Sequence, residues 1–311
     1  MPSSSSLSVP ISDSAFSSLR LSNMNSYADQ WVLKDRTLEL SSGIRIMGIL
    51  NVTPDSFSDG GRFFTLQAAV DQAKRMEDDG ADILDIGGES TRPYSQPASQ
   101  AEELQRVVPV LEKLQGKLSI PVSIDTTKAN VAQAAIELGA SIINDISGLE
   151  HDPGMIDVAR RSQAGICAMH MQGTPQTMQD NPTYDNVVEE IFDYLVQRRA
   201  RLEAAGIDPA RICLDPGIGF GKTHEHNIAL VRNARRFHDT GCPILVGHSR
   251  KGFIAKLLKS KDMHRGLGTV GVSMSLALQS VQIVRVHDVA EHRQALDLFL
   301  QTLPLDLTYR R

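Results

Sequence analysis

Residues 45–86 read RIMGILNVTPDSFSDGGRFFTLQAAVDQAKRMEDDGADILDI, and the order of patterns inside them decides the fold class. A short apolar run, 45–50, comes first. After a Gly- and Ser-rich stretch, Leu66, Ala69, Val70, Ala73 and Met76 recur three and four apart, the stripe of an amphipathic helix. Gly80 then supplies the positive φ that ends a helix, and 82–86 is a second strand. Strand, helix, strand is the unit that lays two strands parallel.

The rhythm continues outward. Further strands are predicted at 121–124, 141–146, 165–169, 211–214, 243–247 and 282–286, which makes eight, and Gly139, Gly206 and Gly241 end helices as Gly80 does. Eight such units predict an α/β fold, a (β/α)8 TIM barrel. A doubly wound open sheet is the alternative, but no GxGxxG follows the first strand. Ahead of the barrel, Trp31–Leu33 and Thr37–Leu40 flank the polar turn Lys34-Asp35-Arg36, an N-terminal β-hairpin. Residues 1–28 are Ser-rich and read as a disordered tail; 29–311 read as a single barrel domain.

Composition narrows the partners. The chain of 311 residues has a formal charge of −5, so a general nucleic-acid binder is excluded. No apolar stretch is long enough to span a bilayer. Cys167, Cys213 and Cys242 sit in apolar runs without metal-ligand spacing, which points to reduced buried thiols and a cytoplasmic setting.

In a TIM barrel the chemistry lies at the carboxyl ends of the strands. Here those ends carry Asn51, Asp85, Asp125, Asn144, His170, Asp215, the Ser249-Arg250-Lys251 trio, and Arg285 with His287. Any one has a structural explanation: Asp85 could cap a turn, and His170 could be a satisfied core histidine. Their recurrence at one mouth points to a ligand. Asp125, Asn144 and Asp215 suit a flat heterocycle rich in N–H groups. Arg285, His287, Lys251 and Arg92 offer positive charge to phosphate oxygens, and Asn51 an oxygen ligand for Mg2+. The stretches 51–65 and 87–99 are long for loops of this kind and read as mobile lids. Residues 216–223, PGIGFGKT, imitate a phosphate-binding P-loop, but position 216 is proline where that motif needs glycine. Thr223 is instead expected to cap the next helix.

The strings Met47–Gly61, Asp85–Pro93, Ile124-Asp125-Thr126, Asn144-Asp145-Ile146, Met169–Gly173, Leu214–Lys222, Ser249–Lys251 and Arg285–Val289 together resemble the dihydropteroate synthases. The resemblance covers about residues 44 to 303. It implies condensation of 6-hydroxymethyl-7,8-dihydropterin diphosphate with p-aminobenzoate, giving 7,8-dihydropteroate and diphosphate. By that analogy Asp125, Asn144 and Asp215 read the pterin ring, Lys251 lies beside it, and Met169 and Phe220 pack on it. Asn51 would hold Mg2+, Arg285 and His287 the phosphates, and Thr91 would reach them. Phe57, Asp59, Arg92 and Pro93 would complete the p-aminobenzoate site with Phe220, Lys251 and Gly252. The analogy assigns catalysis to Lys251, Arg285, His287, Asp125 and Asp59, and a homodimer through the late barrel helices. Asp85 would organise the site around Arg285. Two positions depart from the family pattern: Tyr94 stands where glycine is usual, and Gly252 where many relatives have a polar residue. A methyltransferase acting on methyltetrahydrofolate is the nearest rival on the same barrel. The Ser-Thr-Arg-Pro loop and the Ser-Arg-Lys trio favour the synthase.

Overall fold

The computed structural model describes residues 27–53, 66–92, 94–259 and 265–304. Two short antiparallel strands come first, β1 (Gln30–Val32) and β2 (Thr37–Glu39), with Trp31 opposite Leu38. The barrel strands are β3 (Arg45–Asn51), β4 (Ile83–Gly87), β5 (Val122–Asp125), β6 (Ile142–Asp145), β7 (Gly165–Met169), β8 (Ile212–Asp215), β9 (Leu245–Val246) and β10 (Ile283–Val286). Each pairs in parallel with its neighbours, in the spatial order β8, β7, β6, β5, β4, β3, β10, β9. A parallel bridge between Leu214 and Ile244 joins the two ends of that order, so the sheet returns on itself. The helices between are α1 (Leu66–Asp78), α2 (Gln100–Leu114), α3 (Ala129–Glu137), α4 (Met155–Ser162), α5 (Val187–Ala204), α6 (His224–Arg232), α7 (Gly252–Leu258), α8 (Arg265–Leu278) and α9 (Val289–Thr302).

The expected barrel is what forms, with strand ends within a residue or two of the sequence reading. The shortest strand is β9, read as 243–247 and observed over two residues. Pro243 has no N–H to give the ladder, and the Ile244 N–H donates to the side-chain oxygen of buried Gln282 at 3.0 Å rather than to a strand carbonyl. The α1 stripe is as expected: Ala69, Val70, Ala73 and Met76 are buried. Gly80, Gly139, Gly206 and Gly241 all take positive φ. Thr223 caps α6, accepting from the His226 N–H at 3.2 Å. All three cysteines are free and buried.

Side chains alternate between the two faces of a strand, so every second residue points into the barrel. Met47, Ile83, Ile142, Cys167, Cys213, Leu245 and Ile283 form one apolar cluster there with Trp31, Leu33 and Leu40 of the hairpin. The hairpin therefore seals the amino-terminal end of the barrel. The Trp31 indole is fully buried and its Nε1 donates to the Arg211 carbonyl at 2.8 Å. A Cβ at Gly165 would lie 2.5 Å from Leu33 Cδ2, so the closeness of this seal requires glycine. Two residues further along the same strands the inward positions become Asp85, Asn144, Met169, Asp215, Gly247 and Arg285, with Asp125 two beyond Ser123. One step of the alternation takes the interior from hydrocarbon to charge.

Residues 1–26, 54–65, 93, 260–264 and 305–311 lie outside the described residues, and with them most of the first long loop and nearly all of the stretch read as a tail. Tyr27 and Ala28, the last residues of that stretch, make contacts: Tyr27 Oη accepts from Arg235 Nε at 2.8 Å, and the Ala28 carbonyl from Gln282 Nε2 at 3.2 Å.

Trp31→Ala should lower the unfolding free energy by about 3–5 kcal/mol, the usual consequence of emptying a buried aromatic site. Denaturant unfolding measures it, and a loss under 1 kcal/mol would show that the hairpin does not seal the core.

Candidate active site

The charged layer is tied together at the carboxyl ends of β4, β5, β6 and β10. Arg285 Nε donates to Asp85 Oδ2 and Arg285 Nη2 to Asp125 Oδ2, each at 2.6 Å. Asn144 Nδ2 donates to the same Asp85 oxygen at 3.2 Å. Asp85 is completely buried, and an unpaired carboxylate there would be prohibitive. Its expected part, organising the site around Arg285, is what the geometry shows. Burial is the largest influence on Asp125 and pushes it up to about 7, against the pull of Arg285 and with help from Asp85. Pairing with the two aspartates outweighs the burial of Arg285 and raises it.

Asp215, at the end of β8, turns one oxygen back to accept the Gly217 N–H at 2.7 Å. Burial pushes its carboxyl upward against that bond and against Lys251 and Lys222. The loop that follows, 216–223, supports Lys251: Lys251 Nζ donates to the Ile218 carbonyl and lies 4.4 Å from the centroid of the Phe220 ring. A Cβ at Gly219 would come 2.7 Å from Lys251 Cδ, so glycine lets the lysine stem lie on the backbone. Burial pushes Lys251 down to about 7.

His287 differs from its expected role as a cation. Burial, then Arg250 and Arg285, push it down to about 4, so it is neutral at physiological pH. Ser249 Oγ accepts from the His287 backbone N–H at 3.2 Å and lies 2.9 Å from its Nδ1. His248, just before the trio, is fully buried, held through Nε2 at Ser273 Oγ and the Thr269 carbonyl, and pushed down to about 4 by burial.

His170, just past the end of β7, is buried. Its ring packs edge-on against Tyr194, and Nδ1 lies 3.0 Å from Lys222 Nζ, which also donates to the Phe220 carbonyl at 2.8 Å. Lys222 is a buried amine that meets no carboxylate among the described residues, and burial lowers its affinity for a proton well below the usual lysine range. Sequence reasoning left Lys222 without a role, although it stands inside the LDPGIGFGK string.

Met169 is buried and Phe220 half-buried beside this cluster; Asn51 is half-buried at the end of β3. Thr91 is half-buried and Arg92 exposed in the second long loop. Tyr94 takes φ 64, a left-handed conformation natural to glycine, and holds it with its N–H on the Pro175 carbonyl at 3.1 Å and its hydroxyl on Asp180 at 3.3 Å. Gly252 opens α7 with unfilled space where a Cβ would stand. Phe57, Asp59 and Pro93 lie outside the described residues. A cavity of about 510 Å³ opens beside the charged cluster, over β5 to β7, with Thr91, Asp125, Lys128, Ser147 and Tyr194 in its wall. Of the residues expected to bind pterin diphosphate, Thr91 and Asp125 line it.

The match to known proteins agrees with this geometry. A family model described as pterin binding enzyme matches residues 47–287. Dihydropteroate synthase of Escherichia coli strain K12 is 45% identical over 258 residues, 83% of this chain and 91% of that protein. The chain belongs to the dihydropteroate synthase family. Among solved structures, the Yersinia pestis dihydropteroate synthase with a sulfonamide drug superposes with a TM-score of 0.83 at 42% identity, covering 88% of this chain and 98% of that one. The Xanthomonas albilineans dihydropteroate synthase with 4-aminobenzoic acid gives 0.82 at 41% identity, over 89% of this chain and 100% of that one. A dihydropteroate synthase is a transferase of folate biosynthesis.

Asp85→Ala should destabilise the protein by about 3–5 kcal/mol, because it leaves Arg285 buried with one carboxylate fewer. Denaturant unfolding below 1 kcal/mol of loss would show that Asp125 alone suffices to hold the guanidinium.

Proposed function

We propose that the protein condenses 6-hydroxymethyl-7,8-dihydropterin diphosphate with p-aminobenzoate by an Mg2+-assisted dissociative substitution, giving 7,8-dihydropteroate and diphosphate. The observation that carries this reading is Arg285 fixed between Asp85 and Asp125, beside Asn144, Asp215 and Lys251, in one inward-facing layer. Asp125, Asn144 and Asp215 offer the acceptors and donors to hold the edges of a pterin, while Met169 and Phe220 pack on its faces. Two of the five N–H donors of Arg285 hold carboxylates; the others suit phosphate oxygens, joined by His287 and by Thr91.

Charge decides what else is needed. Asp85, Asp125 and Asp215 against Arg285 and Lys251 make a site short of positive charge for a diphosphate. Among the described residues no group of three or more His, Cys, Asp or Glu side chains could hold a metal ion. That fits Mg2+, which keeps most of its waters and arrives on substrate phosphates, with Asn51 as one protein oxygen. When bound, the ion stabilises charge on the departing diphosphate. The C–O bond to diphosphate breaks with its electron pair on oxygen. Positive charge develops on the pterin methylene, and the carboxylates of Asp125 and Asp215 favour it. The neutral arylamine attacks that carbon and then loses a proton, so no strong base is required. Phe57, Asp59, Arg92 and Pro93 from the two loops, with Lys251 and the backbone of Gly252, would complete the p-aminobenzoate site. Leu267 of α8 and Leu298 of α9, both largely exposed, suit a homodimer contact, and three reduced thiols suit the cytoplasm.

Diphosphate release by the purified protein should require p-aminobenzoate, form dihydropteroate and stop with EDTA, and Arg285→Ala should lower turnover by about 100-fold or more. Release without p-aminobenzoate, or none with both substrates, would overturn the reading. Lys251, pushed down to about 7, is largely neutral at pH 8. A phosphate beside it favours the ammonium, so binding of pterin diphosphate at that pH should take up close to one proton. Calorimetry in buffers of different ionisation enthalpy measures this uptake. Its persistence in Lys251→Met would assign the proton elsewhere.

A further inference from the structure

Away from the pterin-reading ring, three charged side chains meet that the reaction does not use. Lys128 Nζ lies 2.5 Å from Glu89 Oε2 and 2.6 Å from Glu103 Oε2. They come from three elements: Glu89 from the loop after β4, Glu103 from α2, and Lys128 from the turn between β5 and α3. Lys128 follows Asp125 by three residues, and its N–H donates to Thr126 Oγ1 at 3.2 Å.

We propose that Glu89, Lys128 and Glu103 form a clamp that positions the second long loop, and with it Thr91 and Arg92, for p-aminobenzoate. This rests on the function proposed above. Glu89 joins both ends of the loop, since its other oxygen accepts the Ala98 N–H at 3.1 Å. Inside that tie, Ser95 Oγ donates to the Ser90 carbonyl at 2.6 Å. Just before it, the Gly88 carbonyl accepts from Arg106 Nη1 of α2 at 2.8 Å. A Cβ at Gly88 would come 2.8 Å from Val107 Cγ1 and 2.9 Å from Glu103 Cγ, so α2 lies directly against the loop base. Glu89, Thr91, Asp125 and Lys128 share the wall of the cavity beside the charged cluster, which places the clamp between Asp125 and the loop.

Energetics argue that the charges are there for position. Glu103 is fully buried, one of its oxygens has no partner among the described residues, and it continues the apolar face of Val107, Val110, Leu111 and Leu114. A leucine at 103 would bury that face without desolvating a carboxylate, and such replacements are often neutral or stabilising. An apolar residue could not orient Glu89. Burial works against the Lys128 ammonium, yet the bonds to Glu103 and Glu89 hold it above the usual lysine value, so the clamp stays charged.

The test uses the full chain with Lys128→Met and Glu89→Gln, each checked by thermal unfolding. Pterin diphosphate binding is followed by calorimetry, and the KM for p-aminobenzoate by diphosphate release. A clamp predicts a KM for p-aminobenzoate raised roughly tenfold or more, a clearly smaller fall in pterin diphosphate affinity through Thr91, and partial recovery in Lys128→Arg. If Lys128→Met does not fold, Glu89→Gln decides, because its amide can still accept the Ala98 N–H while losing the ion pair. An unchanged KM in a folded variant, or pterin affinity falling in parallel, overturns the clamp. A parent protein that releases no diphosphate overturns instead the function on which the clamp rests.

Discussion

The guanidinium of Arg285 sits where three strands must agree. Arg285 is on β10, whose register partner on β3 is Met47; Met47 pairs with Ile83 on β4, and the β4 carboxylate it reaches is Asp85. Its second carboxylate, Asp125, is one strand further round, on β5. A side chain can span that arc only across the interior of a closed barrel, and only a long planar donor can bond two carboxylates at once. The pairing in turn makes Asp85 tolerable at full burial. Barrel closure, the hairpin seal below and the ligand-reading layer above are therefore consequences of one another: without the seal, water would compete for the charges.

Burial acts on the layer in one direction. It pushes Asp125 and Asp215 up and Lys251 and His287 down, each toward its neutral form. These groups therefore respond to the charge of whatever lies beside them. Only Arg285, anchored by two aspartates, keeps its charge regardless. A ligand bringing an anion at one end and N–H groups at the other would re-ionise the lysine and the carboxylates on arrival, converting desolvation already present in the fold into selectivity.

Most of this architecture was legible in the chain. The strands were visible because alternation and β-branched runs are local properties, and the polar residues at their ends because a barrel gathers them by topology alone. What the sequence hid were matters of proximity. That Asp125 meets Arg285, that His287 is neutral under Ser249, and that Lys222 pins His170 follow from distances no spacing encodes. The shortening of β9 depends on a side chain, Gln282, nearly forty residues downstream. Glu103 did leave a signal: an acid four residues before Val107, on the stripe that continues through Val110, Leu111 and Leu114, marks a buried charge awaiting a partner.

The strand ends and the loops are positioned by different physics, and the placement of buried charge follows that difference. A residue at the end of a barrel strand is fixed by the hydrogen-bonded register on both sides, so Asn144 and Asp215 need no further anchoring to face the interior. A loop of the length of 87–99 has no ladder, and ordering it requires side-chain ties that outweigh its conformational entropy. Those ties are found here at the base, where Glu89 closes on Ala98 and Lys128, and toward the tip, where Tyr94 accepts a left-handed backbone to bond Pro175 and Asp180. Glycine at 94 would adopt that backbone without strain but would lose the hydroxyl contact. Tyrosine trades local strain for a second anchor, so the loop expected to move freely is held at both its base and its far side.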